Sequence, residues 1–323
     1  NALVIKGFGG ERKLSGAVAI TGAKNAALKA IAATILFRDT AYLNNIPEIN
    51  DVERMFELLR EMGASVTRTK LGSYQVFIPR SFNPEIPTEI AKHMRASVVA
   101  TGPVLARFGK VTFPHPGGCL IGSRPVDLFL EGFKKMGATV RHKKDTYVIE
   151  AKDGLKGAEF FLKNQSVTVT ETFMMAGVLA KGTTTIKNSA MEPEIVDLAD
   201  FLIECGAKIT GAGTPTIVIK GGKLLTGKGR PYKTMPDRID AGSFVILGAL
   251  AARELRVINC EPKHLESLIE TLRSAGVSVE TKKTEIIVRA PLRLLPVDIK
   301  THEYPGFPTD LQAPMTVLLT QAD

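Results

Sequence analysis

The 323-residue sequence lacks tryptophan, has only three cysteines and has no long apolar run. Its longest uninterrupted apolar run, Phe244 to Ala252, has nine residues, whereas a membrane-spanning helix needs about 20. The sequence therefore predicts a protein that does not span a membrane. The first residues show neither a charged leader nor a long apolar core, so we expect no secretory signal, and the missing initiator methionine predicts a trimmed start.

The cysteines Cys119, Cys205 and Cys260 are too few for a disulfide framework, and no cysteine or histidine pair has the spacing of zinc ligands. We therefore expect a protein of the reducing cytoplasm. Cys205 lies in a predicted helix and Cys260 at a predicted strand end. For both we expect small buried apolar side chains rather than chemistry.

Basic residues outnumber acidic ones, with 42 Lys and Arg against 33 Asp and Glu, which gives a formal net charge of +9. This excess favours anionic ligands, nucleic acid among them. The charges are scattered along the chain, however, and aromatic residues make up 6% of it, so surfaces on which bases could stack are scarce. We expect phosphate-bearing small molecules rather than nucleic acid.

An amphipathic helical segment that ends in glycine recurs four times. The glycines are 74, 69 and 70 residues apart, and each is followed by a short β-branched strand, a polar turn and a second strand. Glycine suits a helix end because it adopts the left-handed conformation without steric cost. Another apolar helix and a strand precede each segment, which predicts a βαβαββ module of about 70 residues. The four glycines are Gly63, Gly137, Gly206 and Gly276.

A fifth module opens at Asp310, and residues 313–322 are predicted to form its first helix. No strand or second helix follows to cover the apolar face of that helix. The sequence therefore predicts an α/β fold of four repeated modules and the start of a fifth, in a chain that is a fragment of a longer protein.

The second module contains an additional loop. Its strand ends near Phe113 and reaches the helix start at Pro125 only after eleven residues, 114–124, whereas the other modules make this passage in one to four residues. The loop holds three glycines around Cys119, with Arg124 directly before the proline. Glycines let the backbone close around a ligand, a helix start presents N–H groups to anions, and positive surroundings favour the reactive thiolate. The alternative is a surface loop with an incidental cysteine.

Other candidates stand at predicted helix starts. Lys24 and Asn25 open the first helix of the first module and Arg95 that of the second, where each could contact a phosphate or carboxylate. Asp310 opens the corresponding helix of the fifth module, as a cap or as a general base. Taken singly, each is also explained as a cap or surface residue. Matching points of a repeated module converge in space, which favours a shared site.

The chain closely resembles the UDP-N-acetylglucosamine enolpyruvyl transferase family, also called 1-carboxyvinyltransferases, from residue 3 to its last residue. Six motifs in family order carry the resemblance. They are GAKNAAL at 22–28, MRAS at 94–97, PGGCLIGSRPVDL at 116–128, EPEI at 192–195, PDR at 236–238 and YPGFPTDLQA at 304–313.

The resemblance implies a two-domain fold, each domain an inside-out α/β barrel of βαβαββ modules with pseudo-threefold symmetry, and an active site in the cleft between them. One domain would comprise residues 22–235 and carry the cysteine loop. The other would combine residues 1–21 with 236–323 and would be incomplete at its C-terminus.

The resemblance also implies an activity: transfer of enolpyruvyl from phosphoenolpyruvate to the 3-hydroxyl of UDP-N-acetylglucosamine, with release of phosphate, as the first committed step of peptidoglycan synthesis. The family uses no metal or organic cofactor, and we expect no nucleic acid, membrane or obligate protein partner. By position, Cys119 would form a covalent adduct with phosphoenolpyruvate, act as general acid and react with fosfomycin. Asp310 would accept the proton of the sugar hydroxyl.

The implied binding residues follow the same motifs. Lys24 and Arg124 would hold the phosphate of phosphoenolpyruvate, Asn25 would contact the sugar and the reaction centre, and Arg95 an anion. Arg238 is expected as a further cation. The uridine would meet Pro125, Val126, Asp127 and Leu128, and the pyrophosphate Ser166 and Val167.

Two positions depart from the family pattern: Thr168 replaces a glycine against which the nucleotide packs, and Phe129 replaces a histidine. They leave a catalytically silent nucleotide-sugar binder as one alternative. Another enolpyruvyl transferase of the same fold, enolpyruvylshikimate phosphate synthase, and the RNA 3'-phosphate cyclases, built from related modules, are the others. The Pro-Gly-Gly-Cys and Gly-Ala-Lys-Asn motifs argue against both.

Overall fold

A computed structural model of the chain describes residues 2, 4, 6, 7, 9, 11, 13–114 and 126–322. The described strands are β1 (Leu14–Ala19), β2 (Ala41–Asn44), β3 (Ser65–Lys70), β4 (Ser73–Phe77), β5 (Lys110–Pro114), β6 (Thr139–Lys143), β7 (Thr146–Glu150), β8 (Glu159–Phe161), β9 (Thr183–Lys187), β10 (Lys208–Thr210), β11 (Thr216–Lys220), β12 (Tyr232–Lys233), β13 (Ala252–Ile258), β14 (Ser278–Lys282) and β15 (Glu285–Arg289).

The described α-helices are α1 (Lys24–Ala33), α2 (Asn50–Glu61), α3 (Thr88–His93), α4 (Thr101–Phe108), α5 (Asp127–Lys135), α6 (Val167–Leu179), α7 (Pro193–Glu204), α8 (Arg238–Ala251), α9 (Glu266–Ser274) and α10 (Gln312–Leu319). Short 3-10 helices cover Thr34–Leu36, Arg95–Ala100, Pro262–Leu265 and Thr309–Leu311. Among the described residues, no helix combines the length and the apolar character needed to span a bilayer.

The chain divides into two compact units. The central unit is Lys24–Met235, and the split unit joins Asn1–Ala23 to Pro236–Asp323. Each predicted module contributes one sheet, and the helix–strand–helix–strand–strand order repeats in each.

In the central unit, the described strands form sheets with the orders β12-β2-β4-β3, β5-β7-β6 and β10-β11-β9-β8. The first strand of each four-stranded sheet comes from outside the hairpin, and β12 pairs in parallel with β2 although it lies at the other end of the unit. Helices α1, α4 and α6 and the 3-10 helix Arg95–Ala100 pack together. Helix α6 is apolar on nearly all sides, as expected for a helix surrounded by other elements.

In the split unit, β1-β13-β15-β14 form one sheet, with β1 parallel to β13 and the hairpin antiparallel. Helices α8, α9 and α10 bury their apolar residues against it, among them Val245, Leu268 and Met315. The first strand of the chain therefore completes a sheet whose other strands lie more than two hundred residues further along.

The predicted glycine helix ends are confirmed, because Gly63, Gly137, Gly206 and Gly276 all have positive φ, between 84° and 111°. The expected helix from Ser97 to Ala106 is wrong in its first part, where Arg95–Ala100 is a 3-10 helix and α4 begins only at Thr101. Pro103 explains the late start. Its nitrogen donates no hydrogen bond, so it is tolerated in the first turn of an α-helix but not in the interior.

Asparagine ends a strand in three modules in an unusual way. Asn45, Asn188 and Asn259 all have φ near 56°, the left-handed region that asparagine tolerates better than most residues. Each donates a side-chain hydrogen bond to a carbonyl on the segment that precedes its module, at Thr234, Leu162 and Ile20 respectively. This repeated clasp holds each sheet to a distant stretch of chain.

Asp237 caps α8 in the split unit, where its Oδ1 accepts hydrogen bonds from the amides of Ile239 at 2.9 Å and Asp240 at 3.0 Å. Replacing Asp237 by alanine leaves both amides without this acceptor and is expected to cost about 1 kcal/mol. Faster hydrogen exchange at these two amides, measured by NMR, would report the loss. Asp237→Asn keeps the acceptor and should change exchange much less; equal acceleration in both variants would contradict the capping role.

Candidate active site

A cavity of about 560 Å³ lies in the central unit, at the starts of α1, α5, α6 and the 3-10 helix Arg95–Ala100. Helix starts expose backbone N–H groups and carry a partial positive charge, which suits an anionic ligand. The structure brings six of the residues nominated from the sequence together in its wall: Lys24, Asn25, Arg95, Val126, Leu128 and Ser166.

Lys24 and Asn25 are the first two residues of α1, so their side chains project from the positive end of that helix. Lys24 Nζ lies 3.4 Å from Oδ2 of Asp51, and both side chains are about half exposed. Asp51, in the first turn of α2, also lines the cavity. It was missed from the sequence because an acidic residue in a first helical turn is ordinary there.

Arg95 opens the 3-10 helix and is partly buried beside Ala96 and Val98, which line the same wall. Its guanidinium adds a cation with several fixed donors to the cavity. Lys24 and Arg95 thus enter from helix starts in two successive modules.

The start of α5 supplies one side of the cavity. Val126 precedes the helix and is buried, and Leu128 is partly exposed. Phe129, the departure from the family's histidine, is buried and also lines the cavity. Asp127 is exposed and does not belong to the lining.

The start of α6 supplies another side. Ser166 is the N-cap, and its hydroxyl accepts a hydrogen bond from the amide of Val169. Thr168, the departure from the family's glycine, and Val169 line the cavity, whereas Val167 does not. Adjacent helical residues point about 100° apart, so Val167 faces away from the wall that its neighbours form.

Two buried charged residues lie deeper and were not nominated from the sequence. Lys29, one helical turn after Asn25, lines the cavity with its side chain only 7% exposed, and its Nζ lies 3.3 Å from Oε2 of the fully buried Glu171 on α6. Burial raises the pKa of Glu171 to about 7, aided by Glu194 and Glu192 and opposed by Lys29. A lysine inside an alanine-rich helix and a glutamate inside an apolar one were the available signals.

The other predicted residues lie elsewhere. Asp310 belongs to the split unit, where it is exposed in the 3-10 helix Thr309–Leu311. Arg238, also in the split unit, opens α8 with its guanidinium 5.8 Å from the ring centre of Tyr304. Cys119, Arg124 and Pro125 lie outside the described residues.

The two described cysteines have the predicted character. Cys205 and Cys260 are buried, and burial raises the pKa of each thiol to about 11. Both are therefore poor nucleophiles at neutral pH. In the part of the chain that the structure describes, no group of three or more His, Cys, Asp or Glu could hold a metal ion.

Comparison with known families gives one match over nearly the whole chain. The model of the family described as EPSP synthase (3-phosphoshikimate 1-carboxyvinyltransferase) matches residues 9–323.

Curated relatives carry a more specific name, UDP-N-acetylglucosamine 1-carboxyvinyltransferase. One from Shewanella piezotolerans is 45% identical over 314 residues, which are 96% of this chain and 74% of the relative. One from Solibacter usitatus is 42% identical over 311 residues, with 96% and 74% covered. A third, from Staphylococcus aureus and numbered 1, is 43% identical over 323 residues, with 99% and 76% covered.

Solved structures of enolpyruvyl transferases share the fold. The enolpyruvyl transferase NikO from Streptomyces tendae superposes with a TM-score of 0.81 at 23% identity, over 98% of this chain and 74% of that one. An EPSP synthase from Acinetobacter baumannii gives 0.71 at 18% identity, over 96% and 70%. The predicted fold class, α/β with repeated βαβαββ modules, is confirmed.

Proposed function

The chain belongs to the EPSP synthase (3-phosphoshikimate 1-carboxyvinyltransferase) family, and we propose that within it the protein transfers enolpyruvyl from phosphoenolpyruvate to the 3-hydroxyl of UDP-N-acetylglucosamine. Phosphate is released, and the product enters peptidoglycan synthesis as its first committed intermediate. The observation that carries this proposal is the 42–45% identity to relatives of that name over at least 96% of the chain. We place the reaction in the cytoplasm, where the Cys119 thiol would stay reduced.

The cavity suits the anions of this reaction. In the addition step the sugar oxygen bonds to C2 of phosphoenolpyruvate while C3 gains a proton; in the elimination step C3 loses a proton and the C2–O bond to phosphate breaks. The phosphate leaves with its negative charge, so cations fixed at helix starts stabilise it. Lys24 and Arg95 supply such charges, and Asn25 beside Lys24 adds an amide that both donates and accepts hydrogen bonds.

Two further groups complete the proposed chemistry by their place in the motifs. Cys119 would donate the proton to C3 and form the covalent adduct with phosphoenolpyruvate, and Arg124 would hold phosphate with Lys24. Asp310, exposed at the start of the 3-10 helix before α10, would accept the proton of the sugar hydroxyl. The uridine would be bound by the segment from Pro125 to Leu128 and the pyrophosphate by the Ser166 turn.

Phosphate release tests the proposal directly. We expect release above background with phosphoenolpyruvate and UDP-N-acetylglucosamine together, and none when shikimate 3-phosphate replaces the nucleotide sugar. Release only with shikimate 3-phosphate would assign the activity that the family description names. No release with either acceptor, with Cys119 intact, would favour a catalytically silent binder.

Lys24→Met is expected to lower kcat/KM by about 100-fold or more, because the cation opposite the leaving phosphate is removed while the chain length is kept. The matched control is Lys92→Met, which removes an exposed lysine whose ion-pair partner, Glu89 at 3.1 Å, stands outside the cavity lining. Steady-state kinetics of both variants give the comparison. Similar losses in the two would show that general surface charge, rather than Lys24, governs turnover.

A further inference from the structure

The Lys29–Glu171 ion pair forms a charged floor beneath the cavity. Asn25 and Lys29 stand one turn apart on the same face of α1, so the cavity wall continues from the helix start down to Lys29. The side chain of Lys29 is 7% exposed and that of Glu171 is fully buried. A change in the charge of this pair is therefore poorly screened by solvent.

The surroundings of Glu171 favour the uncharged acid. Lys29 of α1 is the cation that faces it, while Glu192 and Glu194 at the start of α7 add negative charge nearby and the Tyr232 hydroxyl of β12 lies within electrostatic range. Neither carboxyl oxygen of Glu171 accepts a hydrogen bond of good geometry from the described residues. A carboxylate so placed ionises reluctantly, because burial and like charges oppose the single ion pair.

The protonation of Glu171 changes the net charge beneath the cavity. Lys24 is paired with Asp51, and Lys29 is paired with Glu171 as long as that residue is ionised. When Glu171 gains a proton, the positive charge of Lys29 is no longer balanced. Arg95, in the 3-10 helix that packs against α6, lines the same cavity and keeps its charge in both states.

We infer that Lys29 is a third anion-binding cation of this cavity, and that Glu171 controls its effective charge by taking up a proton when an anion binds. The inference rests on the proposed function only for its natural ligand, a nucleoside diphosphate sugar. The chemistry it requires is a phosphate-like anion in the cavity. Lys29 is thus a binding residue, and Glu171 acts through it as a positioning residue.

The pH dependence has a definite sign. Glu171 has a pKa of about 7 in the free protein, and a bound anion opposes its ionisation and raises that pKa further. Affinity is therefore constant below about pH 7 and falls as the pH rises above it, until the bound state also loses the proton. A displacement of one pKa unit corresponds to a tenfold change in affinity, so we expect a decrease of about 3- to 10-fold between pH 7 and pH 9.

Isothermal titration calorimetry with two probes, sulfate and UDP-N-acetylglucosamine, tests the inference at pH 6, 7, 8 and 9. Neither probe changes its own charge across this range, so the titrating group must belong to the protein. Repeating each titration near pH 7.5 in buffers of different ionisation enthalpy measures proton uptake directly. We expect a fraction of one proton to be taken up per anion bound.

Two variants separate the roles of the pair. Glu171→Gln resembles the protonated acid, and we expect it to bind with the low-pH affinity of the unmodified protein at every pH, without proton uptake. In the double variant Lys29→Met/Glu171→Met both charges are replaced by apolar side chains of similar length, a change that buried ion pairs often tolerate. We expect it to bind at every pH with about the affinity that the unmodified protein shows at pH 9.

Binding without pH dependence in the unmodified protein, or a pH dependence that persists in Glu171→Gln, would overturn the inference. So would sulfate and UDP-N-acetylglucosamine both failing to bind. If sulfate binds with the expected pH dependence but UDP-N-acetylglucosamine does not bind, the inference stands and the proposed function fails. Thermal unfolding of each variant, followed by circular dichroism, shows that the folded protein is being compared.

Discussion

Replacement of Cys119 by alanine is expected to reduce turnover by roughly 10³-fold or more, since the variant loses the group that donates a proton to C3 and forms the covalent adduct. Labelling by fosfomycin should disappear with it, because opening of the epoxide needs a thiolate. Phosphate release measures the first effect, and mass spectrometry of the fosfomycin-treated protein measures the second.

Cys205→Ala and Cys260→Ala are the matched controls for this experiment. Both thiols are buried, with a pKa raised to about 11, so almost none of either is thiolate at neutral pH. Each control should keep both turnover and labelling. If Cys119→Ala were still labelled by fosfomycin, the reactive thiol would have to be sought at one of these two positions.

Gly102→Ala is expected to destabilise the central unit by about 2–4 kcal/mol. A Cβ built on Gly102 of α4 would lie 2.4 Å from the backbone oxygen of Thr172 on α6 and 2.9 Å from its side-chain methyl group. A backbone atom within a packed helix cannot move aside as a side chain can, so the two helices must separate. Urea denaturation followed by circular dichroism measures the change in unfolding free energy.

Gly177→Ala in α6 is the control for the helix itself. The nearest atoms to its added Cβ are side-chain atoms at 3.2 Å, and alanine favours an α-helix over glycine by up to about 1 kcal/mol. We expect a change within about 1 kcal/mol of zero. Equal destabilisation by the two substitutions would show that the approach of α4 to α6 is not the source of the Gly102 effect.

Much of the fold could be predicted from periodicity and glycine alone. A helix that needs a left-handed end residue favours glycine, and the four glycines near a 70-residue spacing located every hairpin that follows. The 3-10 helix before α4 was missed because apolar spacing at Val98 and Val99 is also compatible with an α-helix. The left-handed Asn45, Asn188 and Asn259 were identified only as strand ends, since their partners lie far along the chain.

The candidate site was predictable where a motif placed charges at a helix start. Lys24 and Arg95 could be nominated in this way, and the cavity brings them together. The Lys29–Glu171 pair could not be found from the sequence. Each residue is ordinary by composition, and only the packing of α1 against α6 shows that both are buried and that they face each other. Tertiary contacts, which no local pattern encodes, supply that information.

The parallel pairing of β1 with β13 also imposes an order on synthesis. The clasp from Asn259 to Ile20 joins residues 239 positions apart, and the whole central unit lies between them. At about 5–20 residues per second, a ribosome needs roughly 12–48 s to supply the second partner after the first. During that time the first strand waits without its sheet while the central unit can already fold. Co-translational folding is therefore expected to finish the inserted unit first and the enclosing unit last.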